Sequence, residues 1–333
     1  MFESITQRFK SNPTVYYALS ICATWAGIGS LMNGVTMTQT YGVVPSLIWV
    51  LGNTLACILF GLVASKIPKV REVFGSKVML WICGLMCVFQ AWLSMNGMQA
   101  VFADTVLGED TGTIIAYAEA VIFLVILFRF GMIRNVLTDN FGWLIVYLLA
   151  VAVTIGAIIY SRGQMNTLSL GLNAECMKAG IWKAILLLPG PFTYPFFFKI
   201  LSYNEDNPDG TKKVNATRAF ALGGVFFGLY MAIIFLLAWT PFSPALNIAK
   251  AVLITLIGTS TLSSAMYSIY IAFGKKVGLA VNVGLIALWP ILIPLGVMGM
   301  WTLMASVRIY FVAGAILFAI GWNAYEKRKA VAA

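Results

Sequence analysis

Histidine is absent from all 333 residues. That excludes histidine-ligated zinc or haem and any histidine general base. Charge is scarce too: 10% of residues are charged and 60% are hydrophobic, whereas a soluble domain carries about 25% charged residues. That shortfall points to an integral membrane protein. Of the five cysteines, Cys22, Cys57, Cys83 and Cys87 fall in apolar runs and Cys176 in a loop. They lack zinc-like spacing in a polar context and do not form a disulfide framework. Cys83 and Cys87, one helical turn apart, read as small packing residues. The first apolar run lacks a small-residue cleavage site, so no cleaved signal peptide is expected.

What the chain has is apolar runs of roughly 20 residues, each able to cross a hydrocarbon core as a helix. The pattern predicts ten spans: 14–40, 43–66, 77–103, 112–133, 140–160, 178–202, 218–239, 247–273, 277–295 and 298–323. With the N-terminus in the cytoplasm, the inner segments hold 17 Lys and Arg residues. The outer segments hold four: Arg162, Lys178, Lys183 and Lys250. The positive-inside rule favours that orientation. The net charge of +10 is then a topology signal, and no nucleic-acid partner is expected. Both termini are expected in the cytoplasm, in a plasma or bacterial inner membrane. The predicted organisation is an arm (1–13), a five-helix repeat (14–160), an outer loop (161–177), a second repeat (178–323) and a tail (324–333).

Two spans are interrupted. Gly27, Gly29 and Gly34 break the first, followed by Ser30, Asn33, Thr36, Thr38 and Gln39. Pro189, Gly190, Pro191 and Pro195 crowd the sixth. A proline inside a helix removes a hydrogen bond and clashes with the preceding turn, costing about 3 kcal/mol or more. Unwound backbone at membrane depth is tolerated only where it is packed in protein or lines a polar cavity. Each break opens a block of five helices, so an odd count inverts the second block relative to the first. Broken helices at matching positions of inverted halves point to a secondary transporter with its site near the midplane.

The eighth span carries GTSTLSSAM, residues 258–266, with five hydroxyls between Thr259 and Ser264. Positions 257, 260, 261, 264 and 268 share one helix face. Small hydroxyl residues permit close helix packing; oxygens in such number can also hold a hard cation.

STLSS resembles the helix-8 sodium motif of the sodium/solute symporter family, whose fold is LeuT-type. ATWAGIGSLMNGVTMTQTYG followed by PSLIWVLGNTLACILFG is similar to that family's first two core helices. YPFFFKILSYNEDNPDGTKKVNATRAF resembles the exit of its sixth. The resemblance implies a compact all-α membrane protein of ten transmembrane helices in two inverted five-helix repeats, with helices 1 and 6 broken. It implies sodium as coupling ion, held by the Ser260 and Thr261 hydroxyls and the carbonyls of Ala23, Ala26 and Ile257.

The breaks and the helices facing them give a candidate substrate site: Gly29, Ser30, Asn33, Gln90, Gly190, Thr193, Tyr194 and Ser264. Arg308 and Glu119 lie at membrane depth, where a charge is a functional candidate by default. Arg308 reads either as a structural partner, for instance of Glu119, or as the group that attracts a carboxylate substrate. The expected function is sodium-coupled symport of a small polar solute by alternating access. Alternatives are proton coupling, with Glu119 as carrier, uncoupled transport, or a channel- or sensor-like protein. An enzyme is not expected, because no nucleophile elbow, carboxylate pair or metal cluster stands at membrane depth.

Overall fold

The computed structural model describes residues 12–103, 105–130, 132–160, 162–206, 213–239, 244–291 and 297–332. Arg8, Lys10 and Lys212 lie outside them, as do residues 292–295 of the ninth expected span and the side chains of Arg134 and Lys327. Among the described residues every regular element is helical. In order these are α1 (Pro13–Trp25), α2 (Ile28–Tyr41), α3 (Val43–Lys66), α4 (Pro68–Gly75), α5 (Lys77–Ala103), α6 (Gly108–Phe130), α7 (Met132–Tyr160) and α8 (Ala174–Leu187). There follow α9 (Pro195–Leu201), α10 (Tyr203–Asp206), α11 (Ala216–Tyr230), α12 (Ala232–Trp239), α13 (Pro244–Phe273), α14 (Lys275–Leu288) and α15 (Val297–Ala332).

Six of these stretches are long and apolar enough to cross a membrane, or eight when two bent pairs each count as one span. The chain is an all-α, multi-pass membrane protein. The bent pairs are the interrupted spans. α1 meets α2 at 64°, and α8 with its 3-10 extension through Thr193 meets α9 at 64°. α14, with 14 residues, is shorter than a full crossing.

Asparagine side chains start three helices by accepting from amides that have no partner in the first turn. Asn12 caps α1, Asn173 caps α8 and Asn215 caps α11. The caps also set boundaries that hydropathy misses. With its Asn173 cap, α8 begins at Ala174, ahead of its apolar window, and α15 runs to Ala332, past its own. The short helix α4 falls between two expected spans: its charged residues hide it from a hydropathy window.

The bundle has one central helix. In α13, 72% of the span window is buried, against 28% in α6 and in α15. α13 packs most extensively on α5, α11 packs on α3 and α1, and α8 packs on α3. α6 and α15 turn apolar side chains such as Ile122, Val125, Leu303 and Leu317 outward, as a lipid-facing helix does.

The two ends of the bundle differ. At one end α4 is tied to the close of α15, where Lys69 Nζ contacts Glu72 at 2.6 Å and Glu326 at 3.0 Å. Both carboxylates stabilise the ammonium and raise its pKa. The Asn215 amide donates to Thr14 Oγ1 at 3.1 Å on this end. At the other end residues 166–170 cross the helix tips: the Val43 and Val44 amides donate to the Ser169 and Leu170 carbonyls, and the Asn166 amide donates to Trp239. Gly42 makes the α2–α3 turn at φ +99°, a conformation that suits glycine.

Candidate functional site

At the first break the α-helical ladder ends because the Gly27 amide bonds the Trp25 carbonyl at 3.1 Å. The Ala23 carbonyl thereby loses its i+4 donor. Gly27 is extended and has no side chain to cap α2. α13 lies against this gap. Thr261 Oγ1 donates to the Ala26 carbonyl at 3.3 Å, and a Cβ at Gly27 would sit 2.9 Å from that hydroxyl. One turn further, Thr24 Oγ1 and Ser264 Oγ share a hydrogen bond of 2.8 Å. Thr24, Thr261 and Ser264 are each fully buried.

Of the expected cation ligands, Ala23, Ala26 and Thr261 therefore converge at the break. Ile257 lies one turn before Thr261, buried on the same helix. The nearest side-chain atom to a Cβ at Gly142 of α7 is Ser260 Oγ, at 3.9 Å, so Ser260 faces α7, the helix that packs beside α1. Its carbonyl accepts from Ser263 at 3.0 Å. The oxygens here are neutral, the donor set that suits a weakly charged hard cation needing to leave again.

The second break is built differently. A 3-10 turn, Gly190–Thr193, separates α8 from α9. Thr193 Oγ1 folds back to the Gly190 carbonyl at 2.7 Å. The freed carbonyls of Phe192 and Thr193 accept from thiols on α5: Cys83 Sγ at 3.6 Å and Cys87 Sγ at 3.4 Å. These cysteines cap the break besides packing. The sequence signal was their one-turn spacing, which reading them as small apolar residues concealed.

The breaks lie side by side. The Trp25 ring presses on Gly190, where any Cβ would overlap it, and meets Tyr194 edge-on at 6.1 Å. Between them is a cavity of about 20 Å³ lined by Trp25, Gly29, Ser30, Gln90, Tyr194 and Arg308, with Leu187, Trp301 and Met304 behind. That is room for about one water. Of the candidate substrate residues, Gly29, Ser30, Gln90 and Tyr194 line this one cavity, together with the candidate charge Arg308. Gly190 supports Trp25 from behind, and Thr193 and Ser264 spend their hydroxyls on the contacts already described. Asn33 is buried with neither amide atom paired and lies outside this lining. Trp25, Trp301 and Met304 were missed. The last two precede Arg308 by seven and four positions, so helical spacing alone could have placed them on its face.

Arg308 and Glu119 do not pair. Glu119 Oε1 instead accepts from Thr259 at 2.9 Å, on the strip of α13 next to the hydroxyl face. α6 packs on α5, α13 and α14, whereas α15 packs on α4, α5 and α8, and the two helices share no substantial contact.

No family model matches this chain, and no curated protein matches it. Among solved structures it is similar to a manganese transporter of Eremococcus coleocola, determined in complex with an aromatic bis-isothiourea substituted compound. The TM-score is 0.42 and the identity 12%, over 94% of this chain and 72% of that one. So loose a superposition leaves the site to be argued from its own residues.

Proposed function

We propose that the protein is a sodium-coupled symporter of a small polar solute, working by alternating access between two inverted five-helix repeats. The observation that carries this reading is the pairing of the first break with α13. Ala23 loses its helical partner, Ala26 meets Thr261, and every group there is a neutral oxygen. The sodium ion is cargo, and Ser260 and the Ile257 carbonyl would complete its shell.

The packing supports inversion. A two-fold axis relating the first five spans to the last five exchanges α1 with α8, α3 with α11, α5 with α13, and α6 with α14. Under that exchange the α1–α11 contact becomes the α8–α3 contact, and α5–α6 becomes α13–α14; all four are extensive. Glycines repeat the pattern. Gly52 of α3 abuts Ala184 of α8, and Gly223 of α11 abuts Ala18 and Ile21 of α1. Gly112 of α6 abuts α5, and Gly278 of α14 abuts α13. On this reading α7 and α14 complete a set of ten spans.

Alternating access needs a closed and an open end. Beneath the second break Phe60, Phe74, Phe192, Phe198 and Phe220 form a plug, with ring centroids 4.7–5.5 Å apart. It separates the central cavity from a recess lined by Arg71, Lys199 and Ser202 at the Lys69 end. Most lysines and arginines stand at that end, which supports its being cytoplasmic.

The test is the unfolding midpoint of the purified chain against sodium at constant ionic strength. A saturable rise in sodium, absent in choline, is expected. Solute uptake into vesicles should then need an inward sodium gradient. A second reading has its own observation: Glu119 Oε2 is buried without a partner, as a proton carrier's would be. Uptake driven by pH, indifferent to sodium and lost in Glu119→Gln, would select it.

A further inference from the structure

Arg308 is 3% exposed, and its Nε has no hydrogen-bond partner. It lines the central cavity but takes part in none of the ion pairs among the described residues. A guanidinium does not shed its proton in a protein, so its burial cost must be met by an acceptor. A second donor faces the same problem. Trp25 Nε1, which can only donate, is buried in the cavity wall and also unpaired. The 14-residue helix α2 begins here as well, with Gly29 and Ser30 of its first turn in the lining and no side-chain cap. A helix N-terminus favours negative charge. The site therefore offers donors and positive potential, and lacks a matching acceptor.

The chemistry selects among anions. The accessible surface of the cavity is mostly polar, from Arg308, Gln90 and Ser30, with the rings of Trp25, Tyr194 and Trp301 around it, and as it stands it admits about one water. A halide would meet the guanidinium as a point charge. A carboxylate matches the planar guanidinium with two parallel hydrogen bonds, and the cavity must widen at the break to take its carbon chain. We propose that the cavity, so widened, binds a small organic monocarboxylate through Arg308 and Trp25, so that the carried solute is an anion. The transport half of that statement rests on the symporter reading; the binding half does not.

The experiment uses the full purified chain and its unfolding midpoint. The probes are acetate, propionate, lactate and benzoate, each against its own amide and against chloride, at fixed sodium and ionic strength. At least one carboxylate should raise the midpoint where its amide and chloride do not. Arg308→Gln should weaken that ligand by about 10- to 150-fold, the range for losing a charged hydrogen bond, and Arg308→Lys should restore part. If Arg308→Gln does not fold, Trp25→Phe removes one N–H and should weaken the ligand several-fold. The proposal is overturned if no carboxylate shifts the midpoint, if an amide or chloride serves as well, or if both variants bind as wild type does. Repeating the titration in choline separates the two readings. A carboxylate shift that persists unchanged there removes sodium coupling and keeps the anion site. A sodium-dependent shift with an amide keeps the coupling and removes the anion.

Discussion

Replacing Thr261 by valine separates the structural use of its hydroxyl from the proposed ionic one. Thr261 is fully buried and its Oγ1 donates to the Ala26 carbonyl at 3.3 Å. Valine keeps the branched shape against Gly27, which leaves room for no more than this side chain. What disappears is one donor. A buried carbonyl left without its donor costs about 1–3 kcal/mol, and that loss appears in any salt. The second loss needs sodium. An ion present at 100 times its dissociation constant stabilises the fold by about 2.7 kcal/mol. Each tenfold weakening removes about 1.4 kcal/mol of that. Losing one oxygen of the shell should therefore roughly halve the sodium-induced shift, on top of the drop seen in choline. The assay is the unfolding midpoint of wild type and variant in sodium chloride and in choline chloride at equal ionic strength. Thr259→Ala, whose hydroxyl serves Glu119, should fall equally in both salts. If Thr261→Val also falls equally in both, the hydroxyl is a packing group and the ion assignment fails.

Three further expectations follow from the breaks. Gly190→Ala should abolish folded protein, since a Cβ there overlaps the Trp25 ring, whereas Gly75→Ala, in open space, should leave yield unchanged by size-exclusion chromatography. Cys87→Ala removes a donor from the Thr193 carbonyl and should destabilise by about 1–3 kcal/mol, with Cys87→Ser recovering part; an alanine variant as stable as wild type would return the thiol to a packing role. Phe60→Ala empties the plug between four other aromatic rings and should cost about 3–5 kcal/mol, measured by thermal unfolding; a loss below 1 kcal/mol (about a cap's worth) would mean the rings do not pack as a unit.

Both breaks were legible because proline and clustered glycine act locally: their effect on a helix needs no knowledge of what surrounds it. Eight of the span positions were legible for a similar reason, since hydropathy is summed over one segment. The identity of each partner was not. Thr261 and Thr259 are two residues apart in sequence, yet one meets the Ala26 carbonyl and the other Glu119. Helix phase told them apart, but only the neighbours gave each hydroxyl a task. Cys83 and Cys87 show the converse. A thiol's apolar reading held in isolation, and became incomplete once α5 was laid beside two freed carbonyls. The proposed Arg308–Glu119 pair failed on the same ground, because equal depth in a membrane does not mean adjacency.

The position of Trp25 beside Ala26 makes a last expectation. The Ala26 carbonyl turns to Thr261 on α13, while the neighbouring indole turns to Gly190 and Tyr194 at the second break. On the proposed assignments the cation and the carboxylate are thus held by consecutive residues of one hinge. Opposite charges bound so near each other attract, and both ligands favour the same hinge arrangement. Each shifts the conformational equilibrium only by its preference for that arrangement. Coupling of this kind is reciprocal: sodium must raise carboxylate affinity by the same factor as the carboxylate raises sodium affinity. A factor of about 5 to 150, the usual range for coupled sites, is expected in wild type, measured by titrating each ligand at zero and saturating levels of the other. Trp25→Phe should shrink both factors together, while Thr261→Val should weaken sodium alone in the absence of carboxylate. Two affinities that ignore each other would show that the dipeptide does not join the sites, whatever each site binds.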